Sequence, residues 1–203
     1  MIQIVEDAIP VNMQEQMIIS AQKQEMIFQN NTSYGVFDTD SILGKRIKMA
    51  MQKDVNIVDN GQYMHMCLNQ VKVYSDFYNE CLPILLEYAK TAGIEVRQVK
   101  RCKLNMLVQD KSFQPTNYNA PHVDMGGTYS FLYYINDSDG DTVFFNQHQR
   151  VNYHYDTEDE KLTVLQKVTP KMGRGIFFES NRYHSSSNPK NTENRLVLNF
   201  NFI

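Results

Sequence analysis

A chain of 203 residues with 42% hydrophobic and 21% charged residues has the make-up of one ordinary globular domain with a full core. A net charge of -3 excludes a protein built to coat nucleic acid, and the absence of any run of 18 apolar residues excludes a helical membrane span. The N-terminal Met1-Ile2-Gln3-Ile4-Val5-Glu6-Asp7 has neither a basic start nor an apolar run, so a cytoplasmic protein without membrane or nucleic-acid partners is expected. Cys67, Cys81 and Cys102 show neither metal spacing nor a disulfide framework and read as reduced, buried thiols.

In chain order, Ile2 to Ile9 reads as a strand, and Asn12 is placed to cap a helix over Met13 to Ala21. Residues 29–35 turn polar and mark a loop, and Asp40 to Met51 suggests a short helical segment with methionines as core filler. Apolar residues then recur at helical spacing: Val71, Tyr74, Phe77, Tyr78, Cys81, Ile84, Leu85 and Tyr88. They predict a long helix over Lys72 to Thr91, kinked or broken at Pro83 and stopped by Gly93. Residues 1–94 thus read as a mainly helical support for residues 95–203 within one domain.

Val96 to Val108 alternates as a strand does, and its basic residues Arg97, Lys100, Arg101 and Lys103 read as a solvated strand edge in preference to a phosphate-binding patch. A polar loop, Gln109 to Ala120, leads to a turn at Met125 to Thr128 and an aromatic strand over Tyr129 to Asn136. The acidic run Asp137 to Asp141 reads as a hairpin turn with Gly140 at positive φ. A calcium loop is disfavoured because the glycine falls at its fourth position and His148 stands where a bidentate glutamate is required. His148 to Gln166 reads as a hairpin insertion in which His148 and His154 are surface residues. Gly175 to Phe178 reads as a strand, Ser180 to Ser187 as a loop holding His184, and Arg195 to Ile203 as the last strand. Seven or eight short strands predict a mainly β fold, a jelly roll or a related β-sandwich, with the helices bracing one face.

Four polar residues stand out against this frame. His122 and Asp124, two positions apart in an extended segment, point to the same side, and His184 can supply the third corner of a two-histidine, one-carboxylate set. Such a set suits iron(II) with positions left open for substrates. Arg195 offers a planar fork for a carboxylate, and Val197, Asn199 and Asn201 share its face by alternation. Two asparagines where an inward position should be apolar indicate a pocket lining. Taken singly, His122 reads as a loop histidine and Asp124 as a turn cap. Chance alone supplies about 0.3 His-x-Asp pairs in this composition, so the motif depends on its context.

The ordered set Pro121-His122-Val123-Asp124, Leu132-Tyr133-Tyr134-Ile135-Asn136, Gly140 to Phe144, Pro170 to Gly173, Gly175 to Phe178, His184 and Arg195 resembles the iron(II)- and 2-oxoglutarate-dependent dioxygenases. Within them it is most similar to the prolyl 4-hydroxylase-like branch, including small phage-encoded members that would act in the host cytoplasm. The resemblance covers residues 100–203 and implies a double-stranded β-helix with Fe(II), 2-oxoglutarate and O2. The implied reaction is hydroxylation with release of succinate and CO2. It also implies His122, Asp124 and His184 as metal ligands and Arg195 as the partner of the far carboxylate of 2-oxoglutarate, where prolyl hydroxylases often carry lysine. Tyr134, or Tyr133 if the strand phase is shifted, would contact the same carboxylate, with Asn105 and Asn199 as further co-substrate contacts. A peptidyl proline leads the implied substrates, ahead of a free amino acid, another small metabolite or a nucleobase. A zinc hydrolase using the same triad has no need for Arg195. A non-catalytic cupin-like binding protein has no need for the triad.

Overall fold

Strict alternation along the C-terminal strands sorts their side chains into two layers, and this sorting makes the fold. The computed structural model describes residues 1–29, 54–58, 60–149 and 162–203. The helical segment expected over Asp40 to Met51 and the surface assignment of His154 lie outside the described residues.

The chain begins with β1 (Ile2–Glu6), α1 (Val11–Gln22), β2 (Ile27–Gln29), β3 (Gln62–Asn69), β4 (Lys72–Val73) and α2 (Phe77–Ala92). Seven strands follow: β5 (Val99–Val108), β6 (Tyr129–Tyr134), β7 (Thr142–His148), β8 (Val164–Val168), β9 (Arg174–Glu179), β10 (Arg182–Ser186) and β11 (Asn194–Phe202). The major sheet has the order β1-β9-β6-β11-β5-β3-β2 with β4 paired to β3, and the minor sheet has the order β10-β7-β8. Every ladder within them is antiparallel. This is the mainly β, double-stranded β-helix architecture, or jelly roll, expected from the sequence.

On β6, Phe131 and Tyr133 face the helices while Leu132 and Tyr134 face the minor sheet. On β11, Leu196, Leu198, Phe200 and Phe202 join the helix-side core, leaving Arg195, Val197, Asn199 and Asn201 on the inner face. From α2, Phe77, Cys81, Ile84, Leu85, Tyr88 and Ala89 pack onto the outer face of the major sheet, and Met17 and Ala21 of α1 join them. The helices therefore brace one face, as anticipated.

Several local expectations need correction. Pro83 does not break α2, which runs unbroken through it. Burial of six side chains, at roughly 2 kcal/mol each for the larger ones, outweighs the ~3 kcal/mol that a helical proline costs. Gly93 does end this helix, with φ 70. The helix starts at Phe77 and not at Lys72, because Lys72 and Val73 turn back to pair with Leu68 and Asn69. The strand β3 itself was missed, its alternation obscured by two methionines, a histidine and a cysteine. The first helix begins at Val11 behind Pro10, so Asn12 lies inside it. His184 lies on β10 and not in a loop, held by pairing with Phe144.

The turn at Asp137 to Asp141 is not a hairpin, since it crosses from β6 in the major sheet to β7 in the minor sheet. Gly140 is not among the positive-φ residues. A Cβ there would stand 2.5 Å from the Ser187 carbonyl oxygen and 3.2 Å from Arg195 Cδ, so glycine is required by close approach. Asp139 caps the opposite turn by accepting the backbone N–H groups of Asn191 at 2.9 Å and Thr192 at 3.1 Å.

Candidate metal and co-substrate site

The two histidines meet through the backbone. His122 and His184 exchange both N–H···O=C bonds, each 2.9 Å, in an isolated antiparallel bridge that brings their rings to 4.5 Å between centroids. Asp124 is pinned beside them by its own N–H to the Ser180 carbonyl at 2.8 Å. One ligand atom from each of His122, Asp124 and His184 lies within 4.8 Å of the others.

Each histidine turns Nδ1 to a carbonyl, His122 to Ala120 at 3.3 Å and His184 to Arg182 at 3.0 Å. With Nδ1–H donating there, Nε2 carries the lone pair, which is the tautomer and orientation that metal-bound histidines use. Burial, reinforced by the charge of the other histidine, holds His122 down at about 3, and burial lowers His184 as well. Both shifts favour the neutral ring. Burial works to raise the Asp124 carboxyl, but Arg101 and then His184 and His122 outweigh it and hold the group well below the usual carboxylate range. Two neutral imidazoles and one carboxylate fit a divalent iron with open coordination positions.

The carboxylate is oriented from three sides. Arg101 on β5 donates to Asp124 Oδ1 at 2.7 Å, Ser130 donates to Oδ2 at 2.7 Å, and Asn201 Nδ2 approaches Oδ2 at 3.3 Å. Ser180 completes the cluster through Ser130 at 2.8 Å. Sequence reasoning missed Arg101, Lys103 and this serine pair. Arg101 and Lys103 are not on a solvated edge, because β5 lies between β11 and β3 in the middle of the sheet. Their phase was the available signal: both are in register with Asn105, which the sequence had already placed toward the site. Lys103 is half-buried, and burial with Arg101 alongside lowers its ammonium to about 8.

Farther along β11, Arg195 is 5% exposed, and its Nη2 donates to Thr142 Oγ1 at 2.7 Å. The same hydroxyl meets Tyr134 Oη at 2.5 Å, and the guanidinium lies 5.4 Å from the centre of the Tyr134 ring. Tyr133 instead packs edge-on against Tyr88 on the helix side, so Tyr134 is the tyrosine that shares a pocket with Arg195. Among the described residues no salt bridge engages Arg195, and its Nε is buried without a partner. A buried cation with no salt bridge among the described residues is the observation that a dicarboxylate co-substrate would satisfy.

Between Arg195 and the triad, Asn105 and Asn199 line the same face, opposite Val197 and Lys103 in the β5–β11 ladder. Their Oδ1 atoms are buried and unpartnered. His148 stays apart from the triad, at 3.2 Å from Asn181 and 3.5 Å from Glu179.

Residues 109–203 match the 2OG-Fe(II) oxygenase superfamily, the stretch that supplies His122, Asp124, His184 and Arg195. The match spans the C-terminal 95 of the 203 residues. No curated protein sequence matches it. Among solved structures, the chain is similar to the non-heme alpha ketoglutarate dependent epimerase SnoN from nogalamycin biosynthesis, with 13% identity, TM-score 0.61 and coverage of 100% of this chain and 78% of the other. SnoN has also been solved with Fe3+, alpha ketoglutarate and nogalamycin RO. A prolyl hydroxylase from Trichoplax adhaerens in complex with a peptide fragment aligns at 11% identity and TM-score 0.56, covering 100% and 83% of the two chains. A Pseudomonas putida prolyl-4-hydroxylase aligns at 14% identity and TM-score 0.53, covering 99% and 91%. At these identities the likeness is one of fold.

Iron(II), 2-oxoglutarate and dioxygen are the cofactor and co-substrates that the matched family description names or implies, as expected from the sequence. The match to an oxygenase family weighs against the zinc-hydrolase and binding-protein alternatives. No helix among the described residues is long and apolar enough to cross a membrane.

Proposed function

We propose that this oxygenase hydroxylates an unactivated C–H bond, with a peptidyl proline as its leading substrate class. His122, Asp124 and His184 hold iron(II), and Arg195 with Thr142 and Tyr134 seats the far carboxylate of 2-oxoglutarate. The observation that carries this reading is the open triad on one sheet face together with a buried arginine that no carboxylate engages among the described residues. When bound, iron(II) with 2-oxoglutarate and dioxygen supplies an oxidant able to take hydrogen from carbon, with succinate and CO2 as by-products.

The chain's own residues set the geometry. Arg195 fixes one end of 2-oxoglutarate as a bidentate fork, and the free Oδ1 atoms of Asn105 and Asn199 point to polar contacts along its length. Arg101, Ser130 and Asn201 keep Asp124 turned toward the metal. Retention of Asp124 favours hydroxylation over halogenation, which needs that position for halide. The two prolyl hydroxylases among the similar folds, one with a peptide bound, support a peptide substrate. Lys103, beside the triad and without a salt bridge among the described residues, favours an acidic group near the reacting carbon.

The test is turnover with iron(II), 2-oxoglutarate and oxygen over proline peptides with acidic or neutral flanks, read by mass and by succinate. A gain of one oxygen on an acidic proline peptide, matched by succinate, is the expected result. Succinate formation on a small molecule, with no mass gain on any proline peptide, would contradict the peptide assignment.

A further inference from the structure

Behind the catalytic face of β5, on the side turned to the helices, the fold gathers the three cysteines that the sequence spaces 14 and 21 residues apart. Cys67 comes from β3, Cys81 from the second turn of α2 and Cys102 from β5, each 0% exposed. Their sulfurs lie within 4.8 Å of one another. Three thiolates around one zinc at ~2.3 Å sit about 3.8 Å apart, so the cluster is compact enough for a single ion. Cys67 Sγ–H donates to the His65 carbonyl oxygen at 3.9 Å.

A histidine lies near the three cysteines along β3. His65 is two residues before Cys67 on β3 and pairs with Leu104, which lies on the helix side. Its Nδ1 meets the Glu25 carbonyl oxygen at 2.7 Å, while Nε2 is buried with no partner. A ring that donates Nδ1–H to a backbone carbonyl and leaves Nε2 free is arranged as metal-bound histidines are.

We propose that Cys67, Cys81 and Cys102, with His65 as the fourth donor, form a second and structural site for a thiophilic divalent cation of the zinc type. The ion enters as the protons of the three thiols leave, and it ties α2 to β3 and β5 directly behind the strand that carries Arg101, Lys103 and Asn105. A closed set of four protein ligands has no open position, so the site takes no part in turnover.

The test uses the full chain carrying His122→Ala, which breaks the iron triad and leaves the cysteines intact. The protein is refolded under reducing conditions with cobalt(II) or zinc(II), desalted, and measured for metal content and for thiolate-to-cobalt charge transfer. One retained ion per chain with a thiolate charge-transfer band is expected. His65→Gln in the same background should weaken retention at least 10-fold, as loss of one of four donors would. Cys81→Ser should abolish the band. No retained metal, or a cobalt spectrum without thiolate character, in folded His122→Ala protein would overturn the proposal without needing any cysteine variant. A chain two hydrogens lighter with no metal would overturn it in favour of a disulfide. Neither result bears on the iron site.

Discussion

Arg101 Nη2 lies 2.7 Å from Asp124 Oδ1, so the carboxylate of the proposed metal triad is held by a strand on the far side of β11. The arginine is 21% exposed and the aspartate 3%. This pair therefore operates in a partly desolvated setting, where loss of one partner is felt.

Arg101→Leu is expected to lower iron(II) affinity 10–100-fold, the usual range for residues that orient a metal ligand. It should also cost the metal-free protein about 2 kcal/mol, the scale of a hydrogen bond to a charged group. Iron titration and urea unfolding check the two effects separately. Unchanged affinity would show that Ser130 and Asn201 orient Asp124 without help.

Thr142 serves both Arg195 and Tyr134 through one hydroxyl. Thr142→Val and Tyr134→Phe should each raise the KM for 2-oxoglutarate about 3- to 10-fold, the value of one hydrogen bond, with little effect on folding. Tyr133→Phe should leave that KM unchanged, because Tyr133 faces Tyr88. Equal effects of the two tyrosine variants would contradict the assigned pocket.

Gly140→Ala places a methyl group against the Ser187 carbonyl and the Arg195 side chain. Overpacking of this kind costs about 1–3 kcal/mol. The predicted signature is a lower midpoint of thermal unfolding together with weaker 2-oxoglutarate binding, since the arginine is displaced by the same methyl. Loss of stability alone would separate Gly140 from the co-substrate pocket.

Asp139 links stability to pH. Burial works to raise its carboxyl, and hydrogen bonds from Thr192 and Asn191 outweigh it and hold the group at about 2. Because the folded value is depressed, its contribution is full above the unfolded value near 4 and is lost as pH falls through 2. Partial exposure limits this to about 1–2 kcal/mol. Asp139→Asn should flatten the acid limb of the stability curve between pH 4 and pH 2, measured by urea unfolding. An identical limb in wild type and variant would refute the linkage.

The parts of this molecule legible in its sequence were those with local periodicity or fixed order. The strands β6, β9 and β11 are short apolar or aromatic runs bounded by turn residues, and His122, Asp124, His184 and Arg195 follow one another in a recognisable sequence. What escaped depends on which strands become neighbours. Arg101 and Lys103 looked like solvent-facing residues until β11 and β3 closed over both sides of β5. Gly140 carried the signal of a turn, whereas its role comes from Ser187 and Arg195, 47 and 55 residues away. The cysteines were invisible as a group because three different elements deliver them.

The central claim is that the triad and Arg195 form one iron and 2-oxoglutarate site, and anaerobic titration tests it most directly. Purified protein is mixed with iron(II) and then 2-oxoglutarate while the weak visible charge-transfer band of the iron–2-oxoglutarate chelate is followed. The account predicts a band in the wild type, none in His122→Ala, and in Arg195→Ala a band that needs about 100-fold more 2-oxoglutarate, as loss of a bidentate charge-assisted contact implies. A full-strength band in His122→Ala, or an unshifted titration in Arg195→Ala, would contradict it.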